Sequence, residues 1–274
     1  MFKDITLGQY YPTGSVIHRL DPRTKINFTF AYIILLFVVN NPVGYLIAIG
    51  ILALVIALSK IPFVYVARGL KPLIFIVVLT FVLNMFMTPG QVLWQWKFLH
   101  ISRQGLKLSI FMSLRLVLLV TGTSIMTLAT SPMDLTDGME ADMSVIPGIK
   151  RFAHDLAMMM SIALRFIPTL MEETDKIIKA QKARGADFET GNLIERAKAL
   201  IPILVPLFVS AFRRADELAT AMEARCYRGG AGRTRMYVLS YQKADTIAYV
   251  VLAATAAAMI LSRFISYPWP FPFN

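Results

Sequence analysis

Four carboxylates within nine residues, Asp134, Asp137, Glu140 and Asp142, crowd together in this sequence. Converging acidic oxygens can hold Mg²⁺ and through it a diphosphate, so an intramembrane lipid-linked transferase using the 134–142 cluster is one reading. It would need a second, opposed acidic cluster, and none is evident. Ser131-Pro132-Met133-Asp134 explains the first acids more simply, with serine as N-cap, proline at the first helical position and a carboxylate near the positive end of the helix dipole. His18, His100 and His154 lie too far apart for a local ligand motif. The single cysteine, Cys226, excludes an internal disulfide and a cysteine-based metal cage. There is no Gly-x-x-x-x-Gly-Lys-Ser/Thr phosphate loop, so any ATP chemistry must come from other chains. No catalytic, cofactor-binding or metal-ligating residue is assigned.

More specific is a pair of arginines that end two similar segments. Glu172 to Gly185 reads EETDKIIKAQKARG and Arg213 to Cys226 reads RRADELATAMEARC, at an offset of 41 residues. Each follows a proline-marked apolar stretch, Ala157 to Met171 and Leu200 to Phe212. Charges alternating with apolar residues at helical spacing predict long amphipathic helices with apolar fronts and charged rears. Gly185 suits the left-handed position that ends a helix, which places Arg184 in the last turn. At the second tip Cys226 would strain that position, so the helix is expected to run on toward Gly229 or Gly230. The run Met158-Met159-Met160 offers either core filling or an adaptable contact surface.

These segments need a scaffold, and composition says what kind. Of 274 residues, 56% are hydrophobic and only 16% charged, yet the formal net charge is +11 and the mean hydropathy +0.59. A soluble domain is nearer ~25% charged, so much of this surface faces lipid. Asp21-Pro22 predicts the start of the first span and Asn40-Asn41-Pro42 a break before the second. Further runs cover Pro72 to Thr88, Leu106 to Thr130 and Ala244 to Phe264, giving about five transmembrane helices. Trp94 and Trp96, and later Tyr267, Trp269, Phe271 and Phe273, mark interfaces. Residues 1 to 25 hold no apolar core, so no cleavable signal peptide is expected.

Lysine and arginine set the orientation. Lys3, Arg19, Arg23, Lys25, Lys60, Arg68 and Lys71 flank one side, against Lys97 and Arg103 on the other with Arg263 at a span end, which favours a cytoplasmic N-terminus. The chain then divides into a membrane region at 1–130, a cytoplasmic domain at 131–243, and a last span with an external tail at 244–274. The cytoplasmic segment mixes both signs of charge and is no nucleic-acid arm. Arg115 is the one clear intramembrane charge and is expected to face the bundle interior, bonded to a carbonyl or a buried carboxylate. Lys107, at the edge of the same span, is expected to snorkel.

Across nearly its whole length the sequence resembles the T component, the transmembrane coupling subunit, of energy-coupling factor transporters (the EcfT or CbiQ-like family). The residues that carry the resemblance are His18-Arg19-Leu20-Asp21-Pro22-Arg23-Thr24-Lys25, Ser131-Pro132, Leu164-Arg165-Phe166-Ile167-Pro168-Thr169-Leu170, Ala183-Arg184-Gly185-Ala186-Asp187 and Ala224-Arg225-Cys226-Tyr227-Arg228-Gly229. The resemblance implies an all-α, L-shaped membrane protein of roughly eight helices that binds no cofactor itself. It implies that Ala183, Arg184 and Gly185, and Ala224, Arg225 and Cys226, dock into two cytoplasmic ATP-binding subunits. It also implies a membrane-embedded substrate-binding S component, one or several interchangeable ones, for which Met158, Met159, Met160, Leu164, Leu204 and Phe208 are contact candidates. The chain would then be a non-catalytic subunit of a vitamin or micronutrient importer in a prokaryotic cytoplasmic membrane, with its second triplet departing from the family pattern where Cys226 replaces glycine.

Overall fold

The computed structural model describes residues 10–96, 99–146, 148–186, 188, 192–229 and 238–264. It is all-α apart from one short hairpin, and its contacts divide it into two units: residues 8–138 with 239–274, and residues 1–7 with 139–238.

In the first unit a short helix α1 (Val16–Arg19) precedes α2 (Pro22–Val38). Asp21 caps α2 by accepting from the Arg23 amide, with Pro22 at the first helical position, as the sequence predicts. The break at Asn40-Asn41 also stands, because α3 (Pro42–Ser59) starts at the next proline. Asn41 does not cap α3 with its side chain; it donates instead to the Ser262 carbonyl. The third span starts earlier than expected. An amphipathic helix α4 (Phe63–Leu70) runs through a 3-10 turn at Lys71–Leu73 into α5 (Ile74–Met87), so Arg68, Lys71 and Pro72 mark a turn within the element rather than its beginning. An antiparallel hairpin, β1 (Val92–Trp96) and β2 (Leu99–Ser102), which the sequence did not predict, leads into α6 (Arg103–Ala129).

The close approach of the first turn of α6 to the end of α5 depends on Gly105. A Cβ there would sit 2.9 Å from the Met85 carbonyl oxygen and 3.0 Å from that of Asn84, closer than side-chain carbons approach backbone. Four elements among the described residues are long and apolar enough to cross a membrane: Pro42–Ser59, Phe63–Met87, Arg103–Ala129 and α10 (Lys243–Ser262). α2 adds 17 more apolar-rich residues, ~26 Å of helix at ~1.5 Å per residue. The buried core lies where α2, α3, α6 and α10 meet, around Leu36, Ala48, Ile125 and Met259. Tyr267, Trp269, Phe271 and Phe273 lie outside the described residues.

Hydrogen bonds fix which helix ends share a face. At one end the Asp21 amide donates to Asp245, and Lys25 Nζ donates to the carbonyls of His18 and Ala129. This joins the starts of α2 and α10 to the end of α6. At the other end Asn41 reaches Ser262, and Arg115 reaches the Val39 carbonyl. The chain therefore leaves the membrane helices after α6 and re-enters at α10 on the side where α2 begins.

α7 (Pro132–Met143) opens as predicted: the Ser131 hydroxyl donates to Asp134 at 2.7 Å and accepts from the Asp134 amide at 3.1 Å. The second unit is dominated by α8 (Lys150–Ala183) and α9 (Leu193–Ala224), 34 and 32 residues long. Both continue through internal prolines, Pro168 in α8 and Pro202 and Pro206 in α9. Asn192 and Glu195 close a capping box at the start of α9.

Candidate functional site

The two arginine tips have the same backbone. α8 ends at Ala183 with Arg184 as its cap residue; the Gly185 amide donates to the Lys182 carbonyl at 3.0 Å and the Ala186 amide to that of Gln181 at 3.0 Å. α9 ends at Ala224 with Arg225 as its cap; the Cys226 amide donates to Glu223 at 2.8 Å and the Tyr227 amide to Met222 at 3.1 Å. This pair of bonds is the Schellman closure, which satisfies carbonyls that a bare helix end would leave free. It needs a left-handed residue in both places, and Gly185 takes φ +87° and Cys226 φ +55°. The expectation that α9 runs on toward Gly229 is thus corrected. The two closing hydrogen bonds outweigh the strain of a side chain in the left-handed region, roughly 1–2 kcal/mol. Arg184 and Arg225 are both exposed, as is the free thiol of Cys226.

α8 and α9 run antiparallel. Gln181 Nε2 donates to the Pro202 carbonyl at 3.3 Å, and Arg214 pairs with Glu173 at 3.3 Å. The ion pair joins equivalent positions of the two similar segments, so it marks where an approximate two-fold relating them passes. Arg184 lies eleven residues beyond Glu173, and Arg225 eleven beyond Arg214. Each tip is then ~16 Å of helix from the pair, in opposite directions, which places the guanidinium-bearing ends up to ~33 Å apart.

The apolar contact candidates fall into two groups. Leu204 (46% exposed) and Phe208 (61%) lie on an outward stripe of α9 with Ile201, Val205 and Phe212, at the level of residues 177–181 of α8. Met158 and Leu164 are half-buried and Met159 and Met160 exposed, at the level of the last turns of α9. The register does not bring the two groups together.

Two members of the acidic cluster have structural partners. Asp134 is engaged by Ser131, and Glu140 by His154 Nδ1 at 2.9 Å. Among the described residues no three His, Cys, Asp or Glu side chains converge as metal ligands would. Arg115 faces the interior as expected, donating to the Tyr45 hydroxyl at 3.0 Å, the Val39 carbonyl at 3.1 Å and the Asn40 side chain at 3.3 Å.

Sequence reading missed a buried polar knot at the shared helix ends. Asp245, fully buried, accepts from the amides of Asp21 and Gln242 through its two oxygens. Burial alone would raise the Asp21 carboxyl, but the Arg23 side chain and amide, with the Lys25 charge, hold it below its ordinary value. His18 Nε2 faces the Tyr11 carbonyl and so carries the proton. Nδ1 then accepts from Ser15, because the Thr13 hydroxyl already donates to the Ser59 carbonyl. Burial pushes the His18 imidazole below its ordinary pKa, more than the Tyr11 carbonyl raises it. The one signal for this knot was Asp245 itself, a carboxylate at the mouth of an apolar run.

The sequence model of the CbiQ family, described as cobalt transport protein, matches residues 13–238, which include the Asp21 motif and both arginine tips. The chain belongs to this family, the transmembrane T components of energy-coupling factor transporters. A protein of Clostridium kluyveri named energy-coupling factor transporter transmembrane protein EcfT is 56% identical over 265 residues, 96% of this chain and 98% of its own. The protein of that name from Acidaminococcus fermentans is 55% identical over 263 residues, with the same shares covered. That of Bacillus subtilis is 48% identical over 265 residues, 96% of this chain and 100% of its own. This T component is therefore a membrane protein that works as one part of a transporter, and its long charged-tipped helices are the part its membrane helices do not explain.

Proposed function

We propose that this T component transmits ATP-driven movement from two cytoplasmic ATP-binding subunits to a membrane-embedded substrate-binding subunit. It does so within an importer of a vitamin or similar micronutrient in a prokaryotic cell membrane, and catalyses nothing itself. The observation that carries the reading is the matched pair of tips: two exposed arginines on identically closed helix ends, aimed away from each other along antiparallel rods. One partner molecule at each tip fits that geometry better than one partner bridging both. A charged tip that accepts a groove of a soluble partner, continuous with an apolar front that meets a membrane partner, can pass on a displacement without bending at the cap. Met158, Met159, Met160 and Leu164, with Leu204 and Phe208 as a second patch, are assigned to the membrane partner. The Lys/Arg bias toward the face where α2 begins supports a cytoplasmic N-terminus.

The test is Arg184→Ala combined with Arg225→Ala in the assembled complex. Each truncation should weaken its contact by about 2–5 kcal/mol. The ATP-binding subunits are then lost on affinity purification while the membrane partner stays bound. Recovery of both ATP-binding subunits at unchanged stoichiometry would refute the reading.

A further inference from the structure

The membrane unit holds a cleft of about 180 Å³ between α1, α2, α3, α6 and α10, lined almost entirely by apolar atoms. Its long direction follows the helices. The lining runs from Thr24 to Tyr32 on α2, Ile51 to Leu58 on α3, Gly122 to Ala129 on α6 and Ala244 to Val251 on α10, about two turns in each case. Because α2 and α10 contribute their first turns and α3 and α6 their last, one end of the cleft is at the polar helix ends and the other inside the bundle. Its mouth is rimmed by exposed apolar side chains, Val16, Leu54, Leu58 and Ile247. Leu54, Leu58 and Ile247 sit on helices long and apolar enough to cross a membrane, so their exposed side chains suit contact with lipid better than with water.

Two further observations concern the polar end. Thr24 lines the cleft, is buried, and among the described residues its hydroxyl has no hydrogen-bond partner, an unmet donor that a bound acceptor would satisfy. Two exposed cations stand beside lining residues at the same end: Arg19, three residues from Val16 on the same face of α1, and Lys243, next to Ala244. A void of this order takes a slender apolar guest, as ~150 Å³ cavities take benzene, whereas an α-helix is ~10–12 Å across.

We propose that this cleft is a phospholipid site, in which the upper part of one acyl chain fills the apolar length and the rest leaves through the mouth, the Thr24 hydroxyl donates to an ester carbonyl, and Arg19 and Lys243 hold an anionic headgroup. The site lies within the membrane unit and does not depend on the coupling role of the arginine tips.

The experiment uses the full-length chain in detergent, stripped of lipid and exposed to equimolar dioleoyl phosphatidylglycerol and dioleoyl phosphatidylcholine, with retained lipid counted by native mass spectrometry. One phosphatidylglycerol per chain is expected, in preference to phosphatidylcholine. Ala248→Phe, which fills the cleft, should lower retention roughly tenfold, the loss expected when about two methylenes no longer find room. Ala248→Leu gives a smaller loss and serves if the phenylalanine variant is not monodisperse. Arg19→Gln with Lys243→Gln should keep one lipid but lose the preference for the anionic head. Unchanged phosphatidylglycerol retention in both Ala248 variants overturns the proposal, as does the absence of retained lipid in the unaltered chain. Variants that keep their lipid but lose the membrane partner from the assembled complex would show a protein occupant and overturn it too.

Discussion

The left-handed residue at each tip makes a mirror-image pair of perturbations. Cys226 at φ +55° carries the steric cost of an L-residue in the left-handed region, ~1–2 kcal/mol. Cys226→Gly removes that cost but adds ~0.4–1 kcal/mol of unfolded-chain entropy, for a net stabilisation of about 0.5–1 kcal/mol. Gly185→Ala runs the other way. No atom lies within 4 Å of a Cβ built on Gly185, so the substitution meets no clash and costs only the backbone preference, again about 0.5–1 kcal/mol after the unfolded-state gain. The amides that report these changes are those closing the caps, Cys226 and Tyr227 at one tip and Gly185 and Ala186 at the other. Hydrogen exchange of the full-length chain should show protection rising about two- to fivefold at 226–227 in Cys226→Gly and falling by a similar factor at 185–186 in Gly185→Ala. Amides outside the tips should not change. If Cys226→Gly lowers protection at 226–227, or carries it past Tyr227 toward Gly229, then α9 does not end at Ala224 and the argument for matched tips fails.

Arg115→Leu leaves the Val39 carbonyl and the Asn40 and Tyr45 side chains without their shared donor, and should destabilise the membrane unit by about 2–4 kcal/mol after allowance for the charge removed. Thermal unfolding in detergent checks this, and an unchanged midpoint would refute it; Arg115→Lys should recover only part, since an ammonium cannot span three acceptors fixed for a fork. His18 predicts a pH dependence of defined sign. Its folded pKa is depressed, so the unfolded chain binds the extra proton; the stability it contributes is complete above the unfolded value of about 6.5 and is lost as pH falls through the lower folded value. The unfolding midpoint should be flat from pH 8 to about 7 and decline below about 6.5, and His18→Gln should remove that part of the slope.

What the sequence made legible was punctuation and period. Asp21 and Ser131 cap the helices that follow them, and Pro22, Pro42 and Pro132 each take the first helical position, because such signals are local and need only neighbours in the chain. The arginine tips were legible as a repeat for the same reason. The elements that escaped depend on contacts distant in sequence. The Asp21–Asp245 hydrogen bond spans 224 positions, and nothing near either residue announces the other. The 3-10 turn at Lys71–Leu73 looked like a boundary because two cations and a proline usually end a membrane helix, yet here they redirect one. Cys226 was misread because a local strain of ~1 kcal/mol was weighed without the two hydrogen bonds that repay it.

The surface of α9 bears on how such a rod can be stable. Ile203 is its one buried apolar side chain among those described, while Ile201, Leu204, Val205, Phe208, Val209 and Phe212 are all more than 40% exposed. Pro202 and Pro206 lie in the same stretch, and each removes a backbone hydrogen bond. An amphipathic helix gains most of its stability from packing its apolar face, so this half of α9 cannot be held by α8 alone, whose ties to it include Gln181–Pro202 and Arg214–Glu173. Its apolar face is left for lipid or a partner surface to cover. The charged half that follows, from Arg213 to Arg225, is closed at its tip and leaves Arg213 and Arg225 exposed, while Arg214 pairs with Glu173. A helix whose front is ordered by one partner and whose tip is gripped by another links the two binding events energetically, since ordering the front removes part of the cost of engaging the tip. Coupling of that kind requires the front to be incomplete in the isolated chain, and on the proposed coupling role the exposed stripe on α9 would supply that incompleteness.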